Sequence, residues 1–253
     1  MATPASQTLD KSLSLLAAVI ADGGKSSLAA LAQSCGLPPS TAHRIVTTLR
    51  RRGYIASPGR GCYLPGPALI RLGAAHGLAE ILQRVARPVL RDLTRRTGLT
   101  AHLGIFEGEM VTYLVKIDGK ADVLTREGMQ LEAYCSGIGK VLLAALPDAV
   151  LELYLNSGPF VALTAATIVD PRGLHRALMG VRRDGFALDD REAHADLCCI
   201  AAPVRGDDGA VCAAISLSGP TTAPDRRGVL PDLMAAAAEI EGRLQSSPPT
   251  QDR

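Results

Sequence analysis

The 253-residue chain contains no apolar run of the roughly 18 residues that a membrane-spanning helix needs. Its longest apolar-rich stretches, residues 13–21 and 141–146, are too short, so we expect no membrane partner. The first residues, MATPASQTLDK, also lack the basic and then apolar order of a secretory signal peptide. Both absences favour a protein that acts in the cytoplasm.

Cysteines at metal-binding spacing are missing as well. None of the six cysteines forms a Cys-x-x-Cys pair, and the five histidines are scattered. This spacing indicates neither a zinc site nor a disulfide framework, and it is typical of a chain in a reduced compartment. We therefore expect no metal and no other cofactor. The six cysteines are Cys35, Cys62, Cys135, Cys198, Cys199 and Cys212.

The sequence also lacks the low hydrophobicity and high net charge that keep a chain disordered. Hydrophobic residues make up 47% of it, charged residues 21%, and the net charge is +2, as in an ordinary soluble globular chain. Since domains have roughly 100–200 residues, the length predicts one large domain or two modest ones.

The nearly neutral total hides two regions of opposite charge. Residues 1–62 hold seven basic and two acidic side chains, a net of +5, while the rest hold 20 basic and 23 acidic ones, a net of −3. A basic head on an acidic body favours a head that binds a polyanion. A charge run is often only a solvated surface, so the residue pattern of the head has to decide.

The head has the pattern of a helix-turn-helix followed by a wing. Apolar residues at helical spacing predict a helix over 9–21, and Asp22-Gly23-Gly24 ends it. Ser26 or Ser27 is a suitable N-cap for a second helix, and Gly36 allows a tight turn. A third helix begins at Pro38-Pro39. Residues 53–64 then predict a strand, a turn and a strand, which is the wing.

The third helix separates an apolar face from a polar one. Ala42, Ile45, Val46 and Leu49 recur at i, i+3, i+4 and i+7 and face inward. The opposite face is short, polar and basic, as a helix entering the major groove of DNA requires. The alternative is a helical hairpin used only for packing or dimerisation. The DNA-binding candidates are Pro39, Ser40, Thr41, His43, Arg44, Thr47, Arg51 and, at the tip of the wing, Arg60.

The body alternates strand and helix patterns and predicts an α+β domain. We expect a helix-turn-helix domain over 1–66, a linker helix over 67–82, an effector-binding domain over 83–246 and a disordered tail over 247–253. A second helix, 81–96, is expected to be interrupted near Pro88. The expected strands are 99–106, 110–117, 185–188, 199–204 and 210–217, and the expected helices that follow or separate them are 139–146, 171–184 and 230–244.

Signals of catalysis are weak in the body. The segment SGIGK at 136–140 is a poor phosphate loop, because Tyr134 and Val141 stand where that loop needs glycine and a hydroxyl. Asp189-Asp190 suits acid–base chemistry, but adjacent carboxylates more often lie in a solvated turn. The neighbouring residues Cys198 and Cys199 are compatible with redox sensing. The alternative is that at least one of them packs in the core. We assign no catalytic residue and expect no enzyme.

Five motifs occur together and in order. The head contains LPPSTAHR at 37–44, followed by Gly53-Tyr54. The body contains YCSGIGK at 134–140, DDRE at 189–192, CIAAPV at 199–204 and ISLSGP at 215–220. With these motifs the chain resembles the IclR family of bacterial transcriptional regulators over nearly its whole length. The resemblance implies a winged helix-turn-helix, a linker helix and a GAF-like α/β effector-binding domain, assembled as a homodimer or tetramer.

The resemblance also implies an effector pocket in the body. Backbone N–H groups of a glycine-rich turn at a helix start favour a carboxylate, and serines two apart on a strand face the same side. Two residues depart from the family pattern, since Tyr134 stands where many members have histidine and Asp196 where glycine is usual. Tyr134-Cys135 is closer to regulators of aromatic-acid catabolism. The implied pocket residues are Gly137, Ile138, Asp189, Cys199, Ser216 and Ser218.

These observations predict a transcriptional regulator of a catabolic operon that binds a double-stranded DNA operator and a small organic acid, aromatic or hydroaromatic in character. Two other interpretations stay open at this point. One is an enzyme or carrier of small molecules whose helix-turn-helix serves only dimerisation. The other is a sensor that acts through protein partners.

Overall fold

The computed structural model describes residues 6–59, 61–75, 77–222 and 226–246. The chain divides into two compact units, Met1–Leu78 and Ala79–Arg253. Arg60 of the predicted wing and the predicted tail 247–253 lie outside the described residues.

Unit 1 contains the three predicted helices and the wing. They are α1 (Gln7–Asp22), α2 (Leu28–Ser34), α3 (Pro39–Arg51), β1 (Ile55–Gly59), β2 (Cys62–Pro65) and a further helix, α4 (Pro67–Ala75). Gly23, at a φ of 62°, ends α1 in the left-handed conformation. The side chain of Ser27 accepts a hydrogen bond from the backbone N–H of Ala30 and caps α2.

The core of unit 1 forms where the three helices meet. Leu15 and Val19 of α1, Leu31 of α2, and Ala42 and Ile45 of α3 are buried together. The strands β1 and β2 pair antiparallel, with Ile55 opposite Pro65. This packing fixes one face of α3 in the core, so its other face is left for solvent or a partner.

The linker helix expected over 67–82 is not continuous. Helix α4 ends at Ala75, Gly77 is not helical, and a new helix, α5 (Leu78–Thr97), begins after it. Glycine destabilises a helix interior by about 1 kcal/mol relative to alanine, which favours a break there. Helix α5 in turn runs unbroken through Pro88, where we expected an interruption. Its buried face, which includes Leu82, Leu90 and Leu93, offsets the hydrogen bond that proline removes.

Unit 2 is built on a six-stranded antiparallel sheet in the order β5-β4-β3-β8-β7-β6. Its strands are β3 (Thr100–Glu107), β4 (Met110–Ile117), β5 (Gln130–Glu132), β6 (Ala187–Asp190), β7 (Leu197–Arg205) and β8 (Val211–Pro220). Its other helices are α6 (Gly137–Ala144), α7 (Asp148–Leu155), α8 (Pro171–Asp184) and α9 (Leu230–Ser246), with a 3₁₀ turn at Arg226–Val229. The predicted α+β fold is confirmed.

Helices cover both faces of the sheet. Helices α5 and α9 pack on the face that carries Leu103, Ile200 and Ile215. Helices α6, α7 and α8 belong to the second core, which contains Ala201 and Ala214 of the opposite face. Side chains alternate between the two faces along a strand. The polar residues that alternate in sequence with the apolar residues of the first face therefore point to the opposite face, towards α6.

Strand β6 begins and ends two residues later than predicted, at Ala187 and Asp190 instead of 185 and 188, and this shift changes the environment of Asp189. Asp189 is only 2% exposed, so it does not lie in a solvated turn, whereas the side chain of Asp190 is exposed. Both residues pair with β7, opposite Cys199 and Cys198, and side chains alternate along a strand, so Asp189 points into the covered face and Asp190 away from it.

Candidate functional site

Helix α3 presents the predicted polar surface. Its core face holds Ala42, Ile45 and Val46, and the helix contains no acidic residue. Of the DNA-binding candidates in α3, Thr41 is half-buried and the others are exposed, namely Pro39, Ser40, His43, Arg44, Thr47 and Arg51. The remaining candidate, Arg60, lies outside the described residues.

The start of α3 can bind an anion. The N-cap residue that precedes it, Pro38, provides no side-chain hydrogen bond. The backbone N–H groups of Ser40 and Thr41 have no hydrogen-bond partner in the part of the chain that the structure describes. Such N–H groups, together with the helix dipole, bind phosphate. The structure adds a cationic groove of about 560 Å³ between α1 and α3, lined among others by Lys11, Arg44 and Arg52. Lys11 and Arg52 were not among the predicted contacts.

In unit 2, all six residues of the predicted effector pocket line a single small cavity. We call it the inner cavity, and its volume is about 30 Å³. Besides Gly137, Ile138, Asp189, Cys199, Ser216 and Ser218, it is lined by His102, Tyr113, Val123, Thr125, Leu131, Ser136, Ala193 and Leu197. A cavity of this size holds about one water molecule.

The register of the sheet brings the polar side chains together. Asp189 of β6 lies opposite Cys199 of β7, and Cys199 lies opposite Ser218 of β8. In the next row on the same face, Ser216 lies opposite His102 of β3. The alternation predicted for Ser216 and Ser218 therefore holds, and residues from four strands meet there.

Helix α6 closes the inner cavity with its N-terminus. Ser136 caps the helix, and its hydroxyl accepts a hydrogen bond from the N–H of Gly139 at 3.1 Å. The N–H groups of Gly137 and Ile138 have no partner among the described residues. A Cβ at position 139 would lie 2.1 Å from the carbonyl oxygen of Ala133, so only glycine allows this close approach.

Two buried hydroxyl groups face the inner cavity without a partner. Ser216 is 3% exposed and Tyr113 is 6% exposed, and within the described residues neither hydroxyl makes a hydrogen bond. Buried polar groups usually have a partner, and leaving one unpaired costs free energy. These two hydroxyls are therefore available to a ligand.

His102 supplies a neutral imidazole. Its Nε2 hydrogen-bonds Thr125 Oγ1 at 2.7 Å, and its Nδ1 lies 3.5 Å from Ser218 Oγ. Burial, with a smaller contribution from the charge of Lys116, lowers the pKa of His102 to about 3. The ring therefore carries no charge at neutral pH and acts as a dipolar hydrogen-bonding group. One sequence signal pointed to this residue: His102 is a polar residue within the predicted strand 99–106, where alternate side chains point to the same face.

Asp189 and a buried ion pair fix the loop beside the cavity. The Asp189 carboxylate accepts a hydrogen bond from the N–H of Glu192 at 2.8 Å, while burial raises the pKa of Asp189. Glu192 in turn pairs with Lys140 of α6, and both side chains are less than one tenth exposed. Burial raises the pKa of Glu192 against the opposing charge of Lys140, and Glu192 Oε2 has no partner among the described residues.

Tyr134 does not line the inner cavity. Its hydroxyl donates to the carbonyl of Val161 at 2.8 Å and accepts from the N–H of Val161 at 3.1 Å, and its ring packs against Phe160. Tyr134 therefore fixes the segment after α7. The residue that suggested an aromatic ligand has no contact with the cavity.

Asp196, the other departure from the family pattern, lies in an adjoining outer groove of about 300 Å³. Five residues line both spaces and form the wall between them, namely Val123, Thr125, Leu131, Ala193 and Leu197. The rest of the outer groove is lined by Asp122, Leu124, Met129, His194, Asp196 and Pro220. The two spaces are therefore adjacent and share these five lining residues.

Metal and membrane sites find no support in the described residues. No three residues among His, Cys, Asp and Glu are grouped so as to hold a metal ion in that part of the chain. None of its helices combines the length and the apolar character that crossing a membrane requires.

Known proteins resemble this chain over both units. The family model described as IclR helix-turn-helix domain matches residues 8–59, and the one described as Bacterial transcriptional regulator IclR C-terminal matches residues 78–241. HTH-type transcriptional regulator XynR of Escherichia coli is 35% identical over 88% of this chain and 89% of that protein. The Pca regulon regulatory protein of Pseudomonas putida is 30% identical over 84% and 75%, respectively.

Solved structures have the same fold. An IclR homologue from Microbacterium hydrocarbonoxydans, crystallised with 4-hydroxybenzoate, superposes with a TM-score of 0.65 at 27% identity and covers 95% of this chain and 100% of its own. These families consist of transcriptional regulators, not enzymes. With both of its units matched, the chain belongs to the IclR family of bacterial transcriptional regulators.

Proposed function

We propose that the protein is a ligand-responsive regulator of a catabolic operon that binds operator DNA and senses a small organic acid. The observation that carries this proposal is the meeting of six predicted residues around one cavity with unpaired amide and hydroxyl donors. In this proposal residues 1–66 bind DNA, residues 83–246 bind the acid, and the protein acts in the cytoplasm as a homodimer or tetramer.

DNA binding is supported by the surface of α3. Arg44 and Arg51 are exposed beside uncharged polar residues, and free N–H groups begin the helix. Basic side chains supply affinity through the phosphates, and polar groups on the helix read base edges. Because one such helix reads only a short half-site, a two-fold assembly on a pseudo-palindromic operator is the usual solution.

Acid binding is supported by the donors of the inner cavity. The N–H groups of Gly137 and Ile138 and the hydroxyls of Ser216 and Tyr113 can donate to a carboxylate. These four donors are neutral, and so is His102. The carboxylate that lines the cavity, Asp189, already accepts a hydrogen bond from the N–H of Glu192, and burial raises its pKa, which reduces its repulsion of an entering anion. The relative with 4-hydroxybenzoate bound supports an aromatic acid as one member of the ligand class.

Regulation requires that the acid bind one conformation of the protein better than another, since equal affinity for both shifts no equilibrium. The inner cavity of about 30 Å³ is smaller than any organic acid, so binding must displace its wall. A ligand that moves Val123, Thr125 or Leu197 therefore prefers a different conformation from the one described here.

The test combines a gel shift with calorimetry on the full chain. An operator is first selected from random duplexes and its affinity measured at several salt concentrations. Acetate, hexanoate and 4-hydroxybenzoate are then titrated into wild type, into the double variant Ser216→Ala/Ser218→Ala, and into the control Ser157→Ala, which lies outside the cavity. We expect weaker acid binding only in the double variant, with unliganded DNA binding unchanged. Operator affinity that does not respond to saturating acid would contradict the ligand response.

A further inference from the structure

The inner cavity and the outer groove together can hold an extended molecule that neither holds alone. Their volumes are about 30 Å³ and about 300 Å³, and they share a wall of four apolar side chains and Thr125. Of these, Val123 is 3% exposed and Ala193 and Leu197 are half-buried. Side-chain and loop movement at this wall would join the two spaces.

The two ends of the joined space differ in electrostatic character. The inner end offers hydrogen-bond donors, including the unpartnered hydroxyl of Ser216, which is 3% exposed. Its one carboxylate among the described lining residues, Asp189, accepts the N–H of Glu192 and lies within the influence of the positive charge of Lys140. The outer end has two exposed carboxylates, Asp122 and Asp196, and no lysine or arginine among its described lining residues. Neither carboxylate makes an ion pair or a side-chain hydrogen bond in the described structure. The N–H of Asp196 donates a hydrogen bond to Nδ1 of His194 at 3.3 Å.

We infer that the ligand is an elongated monocarboxylic acid and that Asp122 and Asp196 determine its specificity. The carboxylate binds in the inner cavity, an apolar chain or ring crosses the wall, and a neutral hydroxyl or an amine ends beside the two carboxylates. This inference rests on the proposed acid-sensing function and adds the class of acid. A dicarboxylic acid of the same length binds more weakly, because its second charge meets two like charges.

The size of the rejection follows from the exposure of the two carboxylates. Two like charges about 7 Å apart in water repel enough to reduce affinity about threefold. Two such residues together reduce the affinity for a dicarboxylate about tenfold at low salt. The middle part of the ligand, which crosses the wall, has to be uncharged. Burying a charge among Val123, Leu131 and Leu197 without a partner is unfavourable.

The experiment measures the affinity of the full chain for matched acids by calorimetry at constant low ionic strength. The pairs are hexanoate with adipate and 4-hydroxybenzoate with terephthalate, and acetate is the short acid. The proteins are wild type, the double variant Asp122→Asn/Asp196→Asn and the control Asp207→Asn, which changes a carboxylate in the turn between β7 and β8. A further variant, Ala193→Leu, narrows the passage through the wall.

We expect wild type and the control to bind each monoacid about tenfold more tightly than its diacid, and the double variant to lose most of this preference. Ala193→Leu should weaken hexanoate and 4-hydroxybenzoate but not acetate. An unchanged ratio in the double variant, equal binding of diacids and monoacids by wild type, or binding of acetate alone would overturn this inference while the acid-sensing proposal stands. Failure of every acid to bind would overturn both.

Discussion

His102 of β3 and Thr125 of the segment between β4 and β5 are joined by a 2.7 Å hydrogen bond from ring Nε2 to Oγ1. Through this bond, the sheet face of the inner cavity holds one residue of the wall that separates the cavity from the outer groove. A ligand that crosses the wall has to move or replace Thr125. Because β3 pairs with β8, His102 connects ligand entry to the strand that carries Ser216 and Ser218.

The same histidine predicts how stability depends on pH. The pKa of His102 is about 3 in the folded protein and 6.5 when unperturbed, so the unfolded chain binds a proton first as the pH falls. Stability should therefore decrease between about pH 6.5 and pH 3, with a contribution from this residue of about 3 kcal/mol at pH 4. Urea unfolding from pH 7 to pH 4 should show a flatter dependence in His102→Asn than in wild type. The exposed histidine variant His43→Asn is the control, and equal slopes in both variants would refute this role.

Arg44→Ala should weaken operator binding. If Arg44 contacts a base edge, the expected loss of binding free energy is about 1–3 kcal/mol. If it contacts a phosphate, the slope of the logarithm of affinity against the logarithm of salt concentration should also fall by about one. Gel shifts at three or more salt concentrations distinguish these outcomes. The control is Arg91→Ala, an exposed arginine of α5 in unit 2. Unchanged binding in both Arg44→Ala and Thr47→Ala would remove α3 from the interface.

Gly139→Ala should destabilise the protein and impair the inner cavity. The new methyl group would lie 2.1 Å from the carbonyl oxygen of Ala133, and relieving such a clash requires a backbone shift costing about 1–3 kcal/mol. Gly180→Ala is a matched control, because a methyl group there meets nothing within 4 Å in helix α8. That control should be stabilising by about 0.5–1 kcal/mol. Similar melting temperatures for both variants would contradict this account.

Lys140→Met should be strongly destabilising. It leaves the buried Glu192 without its cation, and breaking a buried ion pair in this way costs about 3–5 kcal/mol. The double variant Lys140→Met/Glu192→Leu should recover most of the loss. As a control, Arg183→Met breaks an exposed pair with Asp184 and should change stability by about 1 kcal/mol or less. Chemical unfolding of wild type and these three variants measures the differences in stability. A double variant no more stable than Lys140→Met would show that the unpaired charge of Glu192 is not the cause of the loss.

The sequence by itself determined the elements whose signal is local. The separation of α3 into an apolar face with Ile45 and Val46 and a polar face with Arg44 follows from a period of 3.6 residues. The common orientation of Ser216 and Ser218 follows from a period of two. The motifs also sufficed for the family and the α+β fold, because short-range patterns and turn glycines are written directly in the order of residues.

Only the tertiary structure decided features that depend on distant residues. Helix α5 continues through Pro88 because its buried face outweighs one lost hydrogen bond. Asp189 is buried because β6 pairs further along β7 than its own sequence indicates. Tyr134 lies outside the cavity and His102 and Tyr113 line it, since sheet register, which no local pattern specifies, brings residues from β3, β4, β6, β7 and β8 to one place.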